Sequence, residues 1–125
     1  LRRSTNGGLN WSMATTGLPS SGPWVTVWKQ DPITAQTLYA GYSQLYRSTN
    51  QGLGWAATAG VMPGGNASIR EFAIAPSNNQ VIYALKSTGI YKTTNGGTSW
   101  TTVTGSIPVG TALPEYICID PLDPN

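Results

Sequence analysis

The chain has 125 residues, 39% of them hydrophobic and 10% charged, with a net charge of +2 and no histidine. A charged fraction well below the roughly 25% of an average domain, with Ser, Thr, Asn and Gly in its place, suits a secreted β-protein better than a cytosolic enzyme. The scattered Lys and Arg residues form no basic stripe for a nucleic acid, no run approaches the roughly 20 apolar residues of a membrane helix, and the missing histidine removes the commonest general base and zinc ligand.

In chain order, the first element is a glycine-rich turn, LRRSTNGGLNW, whose outgoing strand starts at Trp11. An irregular loop, GLPSSGPW at 17–24, precedes a segment closed by Pro32 in KQDPIT, and LYAGYSQLYRSTN at 38–50 leads into a second glycine turn that ends on Trp55. After the loop GVMPGGNAS at 60–68, IREFAIAP at 69–76 reads as an apolar strand stopped by proline, which cannot donate in a ladder. VIYALK at 81–86, GIYKTT at 89–94 and WTTVTG at 100–105 are three further strands, set apart by the turns SNNQ, STG and NGGTS. The third irregular loop is GSIPVGTALPE at 105–115. YICID then opens another strand, in which the lone Cys118 is expected to be a small buried hydrophobe rather than a reactive thiol.

These elements repeat. Trp11, Trp55 and Trp100 are 44 and 45 residues apart, and Pro32, Pro76 and Pro121 keep the same two spacings. A period of about 45 residues with four strands per unit is the pattern of a β-propeller blade, so the fold class is all-β, with four-stranded antiparallel blades. The units fall at 1–16 (the end of one blade), 23–60 and 68–105 (two complete blades) and 115–125 (the start of another). Propellers close with four to eight blades as a rule, so the span is expected to belong to a longer propeller or to associate with copies of itself.

Each turn has its own chemistry. Asn6, Asn50 and Asn95 are placed to fold their side-chain carbonyls onto backbone N–H groups one or two residues ahead, and Ser4, Ser48 and Thr93 close the turn from the other side. Gly8, Gly52 and Gly97 supply the positive φ, and Trp11, Trp55 and Trp100 are expected to fill the gap between neighbouring sheets.

Ser-x-Asn-x-Gly-x-x-Trp resembles the Asp-box, or BNR repeat, with asparagine for aspartate in all three copies and Thr93 for one serine. The resemblance covers nearly the whole chain. Asp-box propellers include sialidases, xyloglucan-cleaving glycoside hydrolases, sortilin-type receptors, photosystem assembly factors and large secreted Bacteroidetes proteins. IAPSNNQVIYAL, YKTTNGGTSW and ICIDPLDPN look most like the last group. The resemblance implies boxes between the third and fourth strands, at the periphery and away from the ligand face, and a secreted or cell-surface bacterial location.

Function is therefore sought in the three unlike loops and the strand starts beside them. Trp24, Arg70, Glu71 and Glu115 are the candidate binding residues. Trp24 reads first as a cap on the blade core and second as a sugar-stacking platform. Glu115 aligns with Arg70 and suggests an ion pair between blades. Glycoside hydrolysis needs two flanking carboxylates. Asp31 and Asp120 belong to the strand-ending turn and Asp123 lies just beyond, which leaves Glu71 and Glu115. A sialidase's arginine triad and a photosystem factor's arginine patch are both missing.

No catalytic residue, cofactor or metal is assigned. No carboxylate cluster accompanies the asparagines, the glycine pairs do not lead into a helix that would hold phosphate, and the glycosylation triplets at Asn10 and Asn66 are too short to carry weight. The reading is a non-catalytic scaffold or binding segment that presents loops to a glycan or a cell-surface protein, packed against remaining blades or other copies of the chain. The alternative is part of a propeller glycoside hydrolase, xyloglucanase- or sialidase-like, whose catalytic carboxylates lie outside the span.

Overall fold

A computed structural model describes residues 1–107 and 114–124, and the described residues form strands and turns with no helix. Strands β1 (Arg2–Arg3) and β2 (Ser12–Met13) form a hairpin. Strands β3 (Trp28–Gln30), β4 (Leu38–Gly41), β5 (Leu45–Ser48) and β6 (Ala56–Ala57) form one antiparallel sheet in sequence order. Strands β7 (Ile69–Ala75), β8 (Asn78–Lys86), β9 (Gly89–Thr93) and β10 (Thr101–Thr102) form a second sheet in the same order. Each of these two sheets is a meander of four strands, the architecture of a propeller blade.

The blades pack face to face because their strands alternate. On β4, Tyr39 faces the second blade and joins Leu45, Met62, Ile69, Phe72, Ile74, Ile82, Ala84 and Tyr91 in one buried cluster. Ala40 and Tyr42 face the other way and meet Trp55, with Leu1, Leu18, Leu38 and Tyr46 packed against them. The core of this fold therefore lies between sheets rather than within one.

All three glycine turns sit at one end of the blades and close in the same way. The hydroxyl of Ser4, Ser48 or Thr93 accepts from the glycine N–H four residues on, at 2.8, 2.9 and 3.0 Å, and donates to the asparagine Oδ1 at 3.0, 2.9 and 2.9 Å. The asparagine Oδ1 accepts from the N–H of Asn10, Gly54 or Ser99. That reach is four residues, not the one or two that an Asx turn spans, because the serine or threonine hydroxyl already takes the asparagine's nearer N–H groups. Gly8, Gly52 and Gly97 have φ of 91°, 84° and 89°, as the turn requires.

The tryptophans differ in burial. Trp55 is 8% exposed, its backbone N–H donates to Thr16 O at 2.9 Å, and its Nε1 donates to Ala14 O at 3.0 Å, which ties the first blade to the β1–β2 hairpin. Trp11 is 58% exposed, since no described residue offers it a sheet to cover. The expectation that every box tryptophan fills a gap thus holds for Trp55 and for the half-buried Trp100, while Trp11 has no preceding sheet among the described residues against which to pack.

The expectation that Cys118 is buried is also corrected. Along 116–120 exposure alternates, with Ile117 and Ile119 half-buried while Tyr116, Cys118 and Asp120 are exposed. Ile117 and Ile119 line a gap with Tyr83, Ile90 and Val103 of the second blade. Cys118 lies at the rim of the same gap and stays exposed.

Candidate functional site

Loops 17–24 and 60–68 each begin at a glycine packed on the glycine turn of the following blade. Gly17 stands beside the Trp55 backbone, and Gly60 N–H donates to Gly97 O at 2.8 Å. From there the loops reach the β4–β5 and β8–β9 turns at the other end. Most of the third loop, 108–113, lies outside the described residues. Loop 60–68 is held from both sides. Met62 N donates to Gln44 Oε1 at 2.7 Å, and Gln44 Nε2 returns a bond to Met62 O at 3.4 Å. From the other side Lys86 Nζ donates to Ser43 O at 2.7 Å, Pro63 O at 3.0 Å and Gly65 O at 3.3 Å.

Lys86 was not singled out by sequence. It is fully buried, and burial pulls its ammonium below the ordinary lysine value. An ammonium has three donors, and here three backbone carbonyls take them. Sequence alignment of the blades contains one signal for it. Lys86 occupies the place that Tyr42 holds in the first blade, so a charge stands where the repeat has an aromatic ring.

Trp24 is 101% exposed, at the end of loop 17–24, so the reading of it as a core cap is corrected. The loop carries its ring past the strand ends, and the core there is closed by Met62 and Val27 instead. Arg70 is exposed and sits at a register shift, because Ile69 pairs with Lys86 and Glu71 with the very next residue of β8, Leu85. Arg70 is the extra residue of a β-bulge, a device that turns a side chain out of the ladder.

Glu71 is not free for chemistry. Its Oε1 lies 2.8 Å from Lys29 Nζ, which joins the innermost strands β3 and β7, and accepts from Phe72 N at 2.8 Å. The ion pair expected between Arg70 and Glu115 is not formed among the described residues, and Lys29–Glu71 takes the inter-blade role. Glu115 is exposed on a segment outside any ladder. Asp31 is 3% exposed and caps its own turn, since its Oδ1 accepts from Ile33 N and Thr34 N, each at 2.8 Å. Asn79 Nδ2 reaches both Asp31 oxygens from the second blade, and Asp120 repeats the cap by accepting from Leu122 N. No group of three metal-ligating side chains occurs among the described residues.

No known family's sequence profile matches the chain, and no curated protein does. Solved structures do match it. An ancestral GH74 enzyme covers 99% of this chain at 28% identity with a TM-score of 0.75. The GH74 xyloglucanase from Xanthomonas campestris covers 74% at 18% identity with a TM-score of 0.58, and the GH74 enzyme of Niastella koreensis covers 68% at 20% identity with a TM-score of 0.53. The chain spans 17%, 17% and 15% of those three enzymes. With the order of the sheets, these similarities place the chain among β-propellers, as all-β antiparallel blades.

Proposed function

We propose that this chain is a non-catalytic segment of a secreted bacterial propeller glycoside hydrolase that acts on a xyloglucan-type β-glucan. Its turns are of the Asp-box kind, and its loop face forms part of the wall along which the glucan lies. The observation that carries this reading is the 28% identity to an ancestral GH74 enzyme along 99% of the chain. The engagement of the carboxylates supports the non-catalytic part. Asp31 and Asp120 cap turns, Glu71 is bound by Lys29, and Asp123 has a partner, so Glu115 is the one carboxylate without one among the described residues. A glycosidase needs two flanking the scissile bond. Trp24 supplies an exposed ring for stacking on a sugar face, and Arg70 a donor for its hydroxyls.

The test compares the full-length protein with this segment. Full-length protein is expected to release reducing ends from xyloglucan, while the segment of 125 residues binds xyloglucan oligosaccharides and releases none. A full-length protein that hydrolyses no β-glucan overturns the hydrolase reading. Hydrolysis by the segment alone overturns its non-catalytic role.

A further inference from the structure

Asn-Gly occurs twice in the chain, at Asn6–Gly7 and Asn95–Gly96, each time in a glycine turn that reads Thr-Asn-Gly-Gly, while the middle turn reads Asn50–Gln51. Such a pair is chemically labile, because glycine has no side chain to keep its nitrogen away from the carbonyl carbon of the preceding side chain. Asn6 and Asn95 are both exposed. Each Oδ1 accepts from one hydroxyl and one backbone N–H, so the two side-chain carbonyls are held alike.

The nitrogen that follows them is not held alike. Gly96 N–H donates to Gln80 O at 2.9 Å, as Gln51 N–H donates to Gln36 O at 3.0 Å. Gly7 N–H meets no acceptor among the described residues. Nothing lies within 4 Å of where a Gly7 Cβ would stand, whereas Gln80 Oε1 is 2.9 Å from the corresponding point at Gly96. Asn95 is also tied through its amide, since Nδ2 donates to Ser99 Oγ at 2.9 Å. A nitrogen bonded to a carbonyl has to leave it before it can react elsewhere, which costs a local opening. Gly7 N needs no such opening.

We propose that Asn6 is a site of spontaneous deamidation and that Gln80 O guards Asn95 against the same reaction. Solvent hydroxide takes the Gly7 N–H proton, and the nitrogen attacks Asn6 Cγ. The Gly7 N–Cγ bond forms, the Cγ–Nδ2 bond breaks, and Nδ2 leaves as ammonia with a proton from water. Water then opens the resulting succinimide at either carbonyl, so that asparagine and water become aspartate or isoaspartate and ammonia, with no change of oxidation state. Aspartate preserves the turn. Its carboxylate accepts from the Ser4 hydroxyl and Asn10 N–H where the amide oxygen did, and its charge strengthens both bonds. Isoaspartate lengthens the backbone between Ser4 and Gly8 and so disturbs the bond from Gly8 N–H to Ser4 Oγ.

The test is incubation of the chain in mildly alkaline buffer, with conversion at each asparagine followed by peptide mass mapping. Asn6 is expected to convert at least about tenfold faster than Asn95, and Asn50 to convert slowest. In urea, where Gln80 O no longer holds Gly96, the Asn6 and Asn95 rates are expected to agree within about twofold, because the surrounding sequence is the same. Gly7→Gln copies the middle turn and is expected to stop conversion at Asn6 while leaving Asn95 unchanged. Equal rates at Asn6 and Asn95 in the folded chain overturn the guard, and so does a difference that persists in urea. An Asn6 that converts no faster than Asn50 overturns the site.

Discussion

The two ends of the blades differ in their side-chain bonding, which repeats from turn to turn at one end and is particular to each loop at the other. At the turn end, each closure is local, with every partner within four residues and with lengths that agree among the three copies to 0.2 Å. At the loop end, the bonds are long-range and no two loops share them. Gln44 reaches Met62, Lys86 reaches Ser43, Pro63 and Gly65, and loop 17–24 rests its Gly22 on Tyr42. Long-range bonds reach the turn end as well, from Gln51 N to Gln36 O, Gly96 N to Gln80 O and Gly60 N to Gly97 O, but they are made by the backbone, so the turn can be copied from blade to blade. The loop end depends on particular partners in adjacent blades, so each loop differs and can carry its own chemistry.

At the loop end the largest effect is expected at Lys86. Lys86→Met leaves three carbonyls without their shared donor and is expected to cost about 3 kcal/mol, measured as a fall in the urea midpoint. Cleavage by protease should concentrate in 60–68 and spare the three turns. Next is Ser48→Ala, which strips a hydroxyl that is 1% exposed and bonded to Gly52 N and Asn50, for about 2 kcal/mol. Ser4→Ala makes the same change in an exposed copy and is expected to cost about 0.5 kcal/mol. Equal costs at Ser4 and Ser48 would show that sequence, not burial, sets the strength of the turn. Smaller and opposite in sign is Gln51→Gly. Gln51 has φ of 59° where the other turns carry Gly7 and Gly96, so glycine there is expected to stabilise by about 0.5 kcal/mol in spite of the lost exposed bond from Arg3.

Legibility in the sequence follows the same division. The strands, their order and the positive-φ glycines were readable because a repeat states each local rule three times, and the misjudged reach of Asn6, Asn50 and Asn95 was a detail within a correctly placed turn. Lys86, Gln44 and the Lys29–Glu71 pair were not readable, because each bonds across at least 18 residues and pattern alone does not pair such distances. Cys118 was misplaced for a related reason. Alternation in YICID says that two faces exist but not which of them is covered. Of the candidate binding residues, Trp24 and Arg70 stand free on the loop side of their strands, Glu71 is committed to Lys29, and Glu115 joins none of them.

The smallest effect on stability is expected at Trp24, and for that reason it discriminates most clearly between the roles of the two ends. Its counterparts by composition, Trp55 and Trp100, are built into seams, and Trp55 in particular donates from both its backbone and its ring to the preceding hairpin. Trp55→Ala should therefore unfold the chain or cost about 3 kcal/mol or more. Trp24→Ala removes an indole that is 101% exposed and touches no core cluster, so the urea midpoint should move by less than about 0.5 kcal/mol. No described residue covers the Trp24 ring, so its loss should appear instead in binding, with cellotetraose or xyloglucan oligosaccharide weakened about tenfold, near 1.4 kcal/mol. If Trp24→Ala costs as much stability as Trp55→Ala, the ring is structural in solution and the loop face loses its best contact. If it costs neither stability nor affinity, the glucan does not run past loop 17–24, and the wall must be sought nearer Arg70.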